Sequence, residues 1–246
     1  VDADGLFDLA DASVHEAKLP RTLAEVTESR SALLSKFQNE AYAAEYRAFL
    51  DETANTLKAR GIADTEPFLT EVARGLGKLM AYKDEYEVAR LYSDPAFMAS
   101  LRDQFDSEAK LTLNLGARYL SFFRKDAKTG HPRKVALDAW WVLPLFRFMA
   151  KLKGLRGTPL DIFGHQSERR MERALIGEYR ELMRKVASTV TPETMHAAVE
   201  LAASADLVTG YGAVKDAGVE AYRVRVAELL MKLASSSSSE RLREPV

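Results

Sequence analysis

The residues that can do chemistry are few and scattered. Four histidines, His15, His131, His165 and His196, stand apart, with no HxxxH or HExxH spacing among them. Zinc needs three or four converging ligands, and no local stretch supplies them. Cysteine is absent, so this chain has no disulfide, no thiolate-bound zinc, no iron–sulfur ligation and no thiol nucleophile. Neither a GxxxxGK[ST] loop nor a GxGxxG turn after a strand occurs. Gly154, Gly157 and Gly164 fall in a loop between predicted helices and read as a tight connection in preference to a ligand cradle. We assign no catalytic residue and no metal ligand.

Three charged or aromatic clusters remain. In Lys83-Asp84-Glu85-Tyr86-Glu87-Val88-Ala89-Arg90, helical spacing sets Lys83 beside Glu87 and Glu87 beside Arg90. That is either a solvated ladder or a polar network facing another domain, with Lys83, Asp84, Glu85, Tyr86 and Arg90 as its contacts. Around the glycine loop lie Lys151, Lys153, Arg156, Arg169, Arg170 and Arg173. They form a surface mixture offset by Glu168, Glu172 and Glu178, or else a site for an anion or an acidic partner. Trp140-Trp141-Val142-Leu143-Pro144-Leu145-Phe146-Arg147-Phe148-Met149 holds both tryptophans. Core packing explains most of such a run, and burial against another domain is the alternative.

The elements that must position these clusters are mostly helical. We expect about eight helices in a bundle-like domain, with a small β hairpin or short sheet near residues 109–137. A short helix is expected over Leu6–Lys18. Arg21 to Arg60 reads as one long helix or two consecutive ones, stopped by Gly61. Thr65-Glu66-Pro67 starts a helix that continues through KDEYEVAR to about Leu91, and Asp94-Pro95 starts the next. Residues 110–115 alternate as a half-buried strand does, with a turn at Thr129-Gly130. Helices follow over Asp138–Lys153, with Pro144 kinking the helix or setting its start, and over Glu168–Ser188 behind a Ser167 cap. Two more run from Thr191-Pro192 to before Gly210 and from Val214 to Leu233. Residues 1–29 form an acidic lead-in and the start of the first long helix, 30–233 the helical domain, and 234–246 a mobile Ser-rich tail. A weak internal division falls near 107–138.

Composition narrows the function classes. With 47% hydrophobic residues in 246, most of the chain is expected to fold around a core. A formal net charge of -1 argues against a dedicated nucleic-acid binder. The most apolar stretch, Ala139–Ala150, contains Pro144 and Arg147 and is too short to span a bilayer. The start VDADGLFDLAD lacks a secretory pattern, and a cytoplasmic location is expected.

Several long segments carry a resemblance: GLGKLMAYKDEYEVARLYSDPAF (75–97), LPLFRFMAKLKGLRG (143–157) and LKGLRGTPLDIFGHQSERRMERALIGEYR (152–180), with NEAYAAEYRAFL (39–50) and TGYGAVKDAGVEAYRVRVAELL (209–230). Over residues 30–233 the chain resembles the C-terminal region of the large fused indolepyruvate:ferredoxin oxidoreductases. The resemblance implies a homo-oligomeric parent that oxidatively decarboxylates 2-oxo acids to acyl-CoA and reduces ferredoxin. It also implies thiamine diphosphate, magnesium, 4Fe–4S clusters and coenzyme A, with the cofactors held by preceding thiamine, ferredoxin-like and acyl-transfer domains. For this chain it implies a non-catalytic assembly role, contacting those domains through Lys83, Asp84, Glu85, Tyr86, Arg90, Trp140 and Trp141. The alternatives are a coenzyme A- or substrate-binding module, with Lys153, Arg156, Arg169 and Arg170 at the phosphates, and a free-standing helical interaction protein. No membrane or nucleic-acid partner is expected.

Overall fold

A computed structural model describes residues 20–105, 110–115 and 135–241. These residues form nine α-helices and one two-stranded antiparallel sheet, so the fold is mostly α with a small β element. The chain divides into two compact units. One comprises Pro20–Tyr82 with Leu155–Val246, and the other includes Lys83–Gly154.

In the first unit, α1 (Leu23–Phe37) opens with a capping box: the Glu25 amide donates to the Thr22 hydroxyl, and the Thr22 amide to the Glu25 carboxylate. Asn39 then accepts from the Tyr42 amide and starts α2 (Glu40–Ala59), so the stretch from Arg21 to Arg60 is two helices. Gly61 ends α2 at a φ of 70°, a left-handed conformation that suits glycine. The unit continues through α3 (Glu66–Met80), α7 (Ser167–Thr189), α8 (Met195–Ala203), a 3₁₀ turn (Ser204–Leu207) and α9 (Ala213–Arg241).

Apolar faces of these helices close one large core containing Leu34, Phe37, Tyr46, Phe68, Leu76 and Met183. Its buried phenols are wired to backbone carbonyls. Tyr46 donates to Ala73 at 3.0 Å, Tyr42 to Met80 at 3.1 Å and Tyr179 to Ala202 at 2.9 Å. Burial pushes the Tyr222 phenol up to about 12, and raises Tyr42, Tyr46 and Tyr179 further. Gly75 is where α3 meets Tyr179: a Cβ there would lie 2.5 Å from the Tyr179 hydroxyl. The Arg60 guanidinium donates to the Ala187 and Val190 carbonyls at 2.9 and 2.7 Å, closing the C-terminal end of α7.

In the second unit, α4 (Glu85–Tyr92) and α5 (Pro95–Gln104) precede β1 (Thr112–Leu115), β2 (Val135–Asp138) and α6 (Ala139–Lys151). The strands pair from Thr112↔Asp138 to Leu115↔Val135. A small core joins Ala89, Tyr92, Leu113, Val142 and Phe146. Pro144 lies inside α6 and does not start it.

Three expectations need correction. The helix from Pro67 does not run on to Leu91. It stops at Met80, and the buried Asp84 side chain accepts from the Glu87 amide at 2.8 Å to begin a new helix. Ser167 is the first residue of α7 and not its cap, which is Gln166 without a side-chain bond. The backbone of α9 continues through the serine run to Arg241, where the sequence suggested an end at Leu233. The expected turn at Thr129-Gly130 and the Leu6–Lys18 helix lie outside the described residues.

Candidate functional site

The surface with the most unmet chemistry is one side of α6. Its inner face seats Val142 and Phe146 in the small core, and Ala139 is buried as well. On its outer face Trp140 is 78% exposed, Trp141 42%, Leu145 46% and Phe148 60%. At about 100° of rotation per residue these four, with Pro144 between them, fill one arc of roughly 140°. Sequence favoured core packing for the tryptophans, and the structure corrects that: both stand at the surface. Core packing holds for their neighbours Val142 and Phe146. A helix apolar all round is normally covered on every side, and contiguous exposed aromatics on this scale mark contact surfaces. Arg147 and Lys151 are also exposed on α6.

The acidic run beside Lys83 is not a solvated ladder. Lys83 precedes α4, so it lacks the helical spacing to Glu87 that was expected. Asp84 is the N-cap, and Tyr86 is 1% exposed. Glu87, itself buried, binds Arg90 with two hydrogen bonds of 2.6 and 2.8 Å. That carboxylate raises the Arg90 guanidinium pKa further. Glu85 is half-buried at the first position of α4.

The basic cluster does not form a surface patch. Arg156 is buried, donates to the Phe37 carbonyl and lies 3.7 Å over the Phe37 ring. Arg169 is buried and paired with Glu172 at 2.8 Å and Glu168 at 3.6 Å. Arg173 donates to the Gly164 carbonyl at 2.6 Å. Arg170 is exposed, and Lys153 is half-buried in the other unit. The glycine loop between them is built around Asp161, whose carboxylate accepts from the amides of Gly157 and Gly164. A Cβ at Gly164 would strike that carboxylate, so these glycines shape a tight connection.

One arrangement went unread in the sequence. Lys215, near the start of α9, is buried against Glu172 of α7. Burial raises the Glu172 carboxyl, and the Arg169 and Lys215 cations oppose the shift. The two residues are 43 positions apart, and no local pattern announces the pair.

Other sites are weaker. An open groove of about 720 Å³ beside α1 has an apolar floor of Leu23 and Leu69 with Glu28 and Glu66 at its rim, but no converging catalytic set. His165 and His196 are exposed, and His15 and His131 lie outside the described residues. Among the described residues no group of three metal-ligating side chains occurs, and no helix is long and apolar enough to cross a membrane.

Residues 23–228, most of the chain, match a family of unknown function, DUF6537. The chain belongs to that family. The matched region contains α1 to α8, including α6, and most of α9. No curated protein and no solved structure matches the chain.

Proposed function

We propose that this chain is a non-catalytic assembly domain of an indolepyruvate:ferredoxin oxidoreductase, held to its neighbours by the outer face of α6. The observation that carries the reading is that exposed face, with Trp140 and Phe148 largely in solvent. The sequence resemblance over residues 30–233 supplies the parent. In that parent, thiamine diphosphate, magnesium, 4Fe–4S clusters and coenzyme A belong to preceding domains. The present chain contributes two helix-rich units and a contact face. A homo-oligomeric parent, ferredoxin as electron acceptor and a cytoplasmic location belong to the same proposal.

The coenzyme A-binding alternative loses support from the geometry. Phosphate recognition needs arginines with free, outward forks; of its four candidates Arg156 and Arg169 are turned inward and committed, which leaves the exposed Arg170 and the half-buried Lys153. Titration with millimolar coenzyme A should give no saturable heat.

Peptide-mapped mass spectrometry of the native polypeptide in source cells tests the main reading. Peptides of this chain are expected within, or stably associated with, a polypeptide carrying cysteine-rich and thiamine-site peptides. A native species near 27.4 kDa with no such association overturns it.

A further inference from the structure

The docking reading says that α6 is covered, and the charge pattern around α6 says by what. Between Asp138 and Asp161 the chain has no carboxylate side chain, while Arg147, Lys151, Lys153 and Arg156 fall in that interval. Arg147 and Lys151 are exposed. Helical rotation of about 100° per residue sets both along the Trp140 edge of the apolar arc, away from Leu145. The face is thus apolar across its width and cationic along one side. Its four exposed apolar side chains offer roughly 500 Å², more than half of the ~800 Å² that each partner of a standard interface buries.

We infer, resting on the assembly reading above, that α6 docks onto an apolar protein surface bordered along one edge by carboxylates, on a domain other than a second copy of α6. Residues 139–151 of a second α6 contain no carboxylate to set against Arg147 or Lys151. In an antiparallel two-fold pairing it sets the two cationic edges side by side. A bilayer is the poorer cover. Pro144 removes the amide that would bond the Trp140 carbonyl in the preceding turn, and hydrocarbon cannot replace it. A protein surface has donors to spare.

Two measurements on the protein in intact source cells test this. Hydroxyl-radical footprinting reads whether Trp140, Trp141 and Phe148 are covered. A zero-length carbodiimide couples an amine directly to an adjacent carboxylate, so it reads what faces Lys151. The expected result is protection of the three aromatic residues relative to the purified 246-residue chain, with Lys151 joined to an Asp or Glu of a different sequence. K151R should abolish that link without loss of protection. R147E combined with K151E should weaken the association about tenfold, an effect that added salt diminishes. Protection without any Lys151–carboxylate link overturns the charged-edge inference and leaves the docking reading standing. A link to another copy of this chain, or protection reproduced by phosphatidylglycerol vesicles alone, also overturns it. Full exposure of the three aromatic residues in cells overturns both.

Discussion

Helices α3 and α6 are built from similar residues and meet different fates. In α3 the apolar stripe of Phe68, Leu69, Val72, Leu76, Leu79 and Met80 is wholly buried, and its unit adds tyrosine hydroxyls that tie helix to helix. In α6 Val142 and Phe146 are buried while Trp140 and Phe148 stand in solvent. The first helix has its apolar surface covered by its own unit. The second carries more apolar surface than its unit covers, and that excess marks a contact surface in place of a core.

The sharpest way to break this contrast is at the buried charges of the self-sufficient unit. Glu172→Ala leaves Lys215 and Arg169 buried without their shared carboxylate. We expect a loss of about 3–5 kcal/mol in chemical denaturation, whereas replacing Glu172 and Lys215 together by Met should cost far less. A near-neutral Glu172→Ala would show that the pair is not desolvated.

Next comes the inner face of α6. Phe146→Ala removes a ring packed against Tyr92 and should cost about 3 kcal/mol, read as early loss of near-ultraviolet circular dichroism from that unit.

Four tyrosines give the unit of α3 a pH signature. A phenol whose folded pKa is raised stabilises the fold fully below its unfolded pKa, near 10, and that contribution is lost as pH rises through the folded value. Tyr222, at about 12, sets the lower end of the window, and Tyr42, Tyr46 and Tyr179 extend it upward. Alkaline titration followed by phenolate absorbance should show these four ionising above the ordinary phenol value, together with unfolding. Simultaneous ionisation of all nine tyrosines at ordinary pKa would contradict their burial.

The smallest expected effect is at the outer face of α6. Trp140→Ala or Phe148→Ala should change the stability of the chain itself by no more than about 0.5 kcal/mol, while impairing association with the parent. A loss comparable to that of Phe146→Ala would mean that both faces of α6 serve its own core.

Much of this fold was legible because its signals are local. Asp94-Pro95 and Thr65-Glu66-Pro67 announced helix starts, Gly61 a stop, and the alternation over 110–115 a strand. The break between α3 and α4 was not legible. Asp84 serves equally well as a ladder member or a cap, and in the fold its carboxylate caps α4 by accepting from the Glu87 amide. Arg156 looked like part of a basic patch because its partner, the Phe37 carbonyl, lies 119 residues away. For α6 the sequence gives apolar residues around the whole circumference, so periodicity cannot say which side faces in. The cluster stood out in the sequence by its two tryptophans, but its exposure came from structure alone.

Both tryptophans of the chain lie on α6, so fluorescence excited at the red edge, where tryptophan alone absorbs, reports on this face. The account predicts a red-shifted emission maximum with strong acrylamide quenching, more of it lost in Trp140→Phe than in Trp141→Phe. A blue-shifted, weakly quenched emission would mean that the face is already covered within the chain, and the docking account would fall.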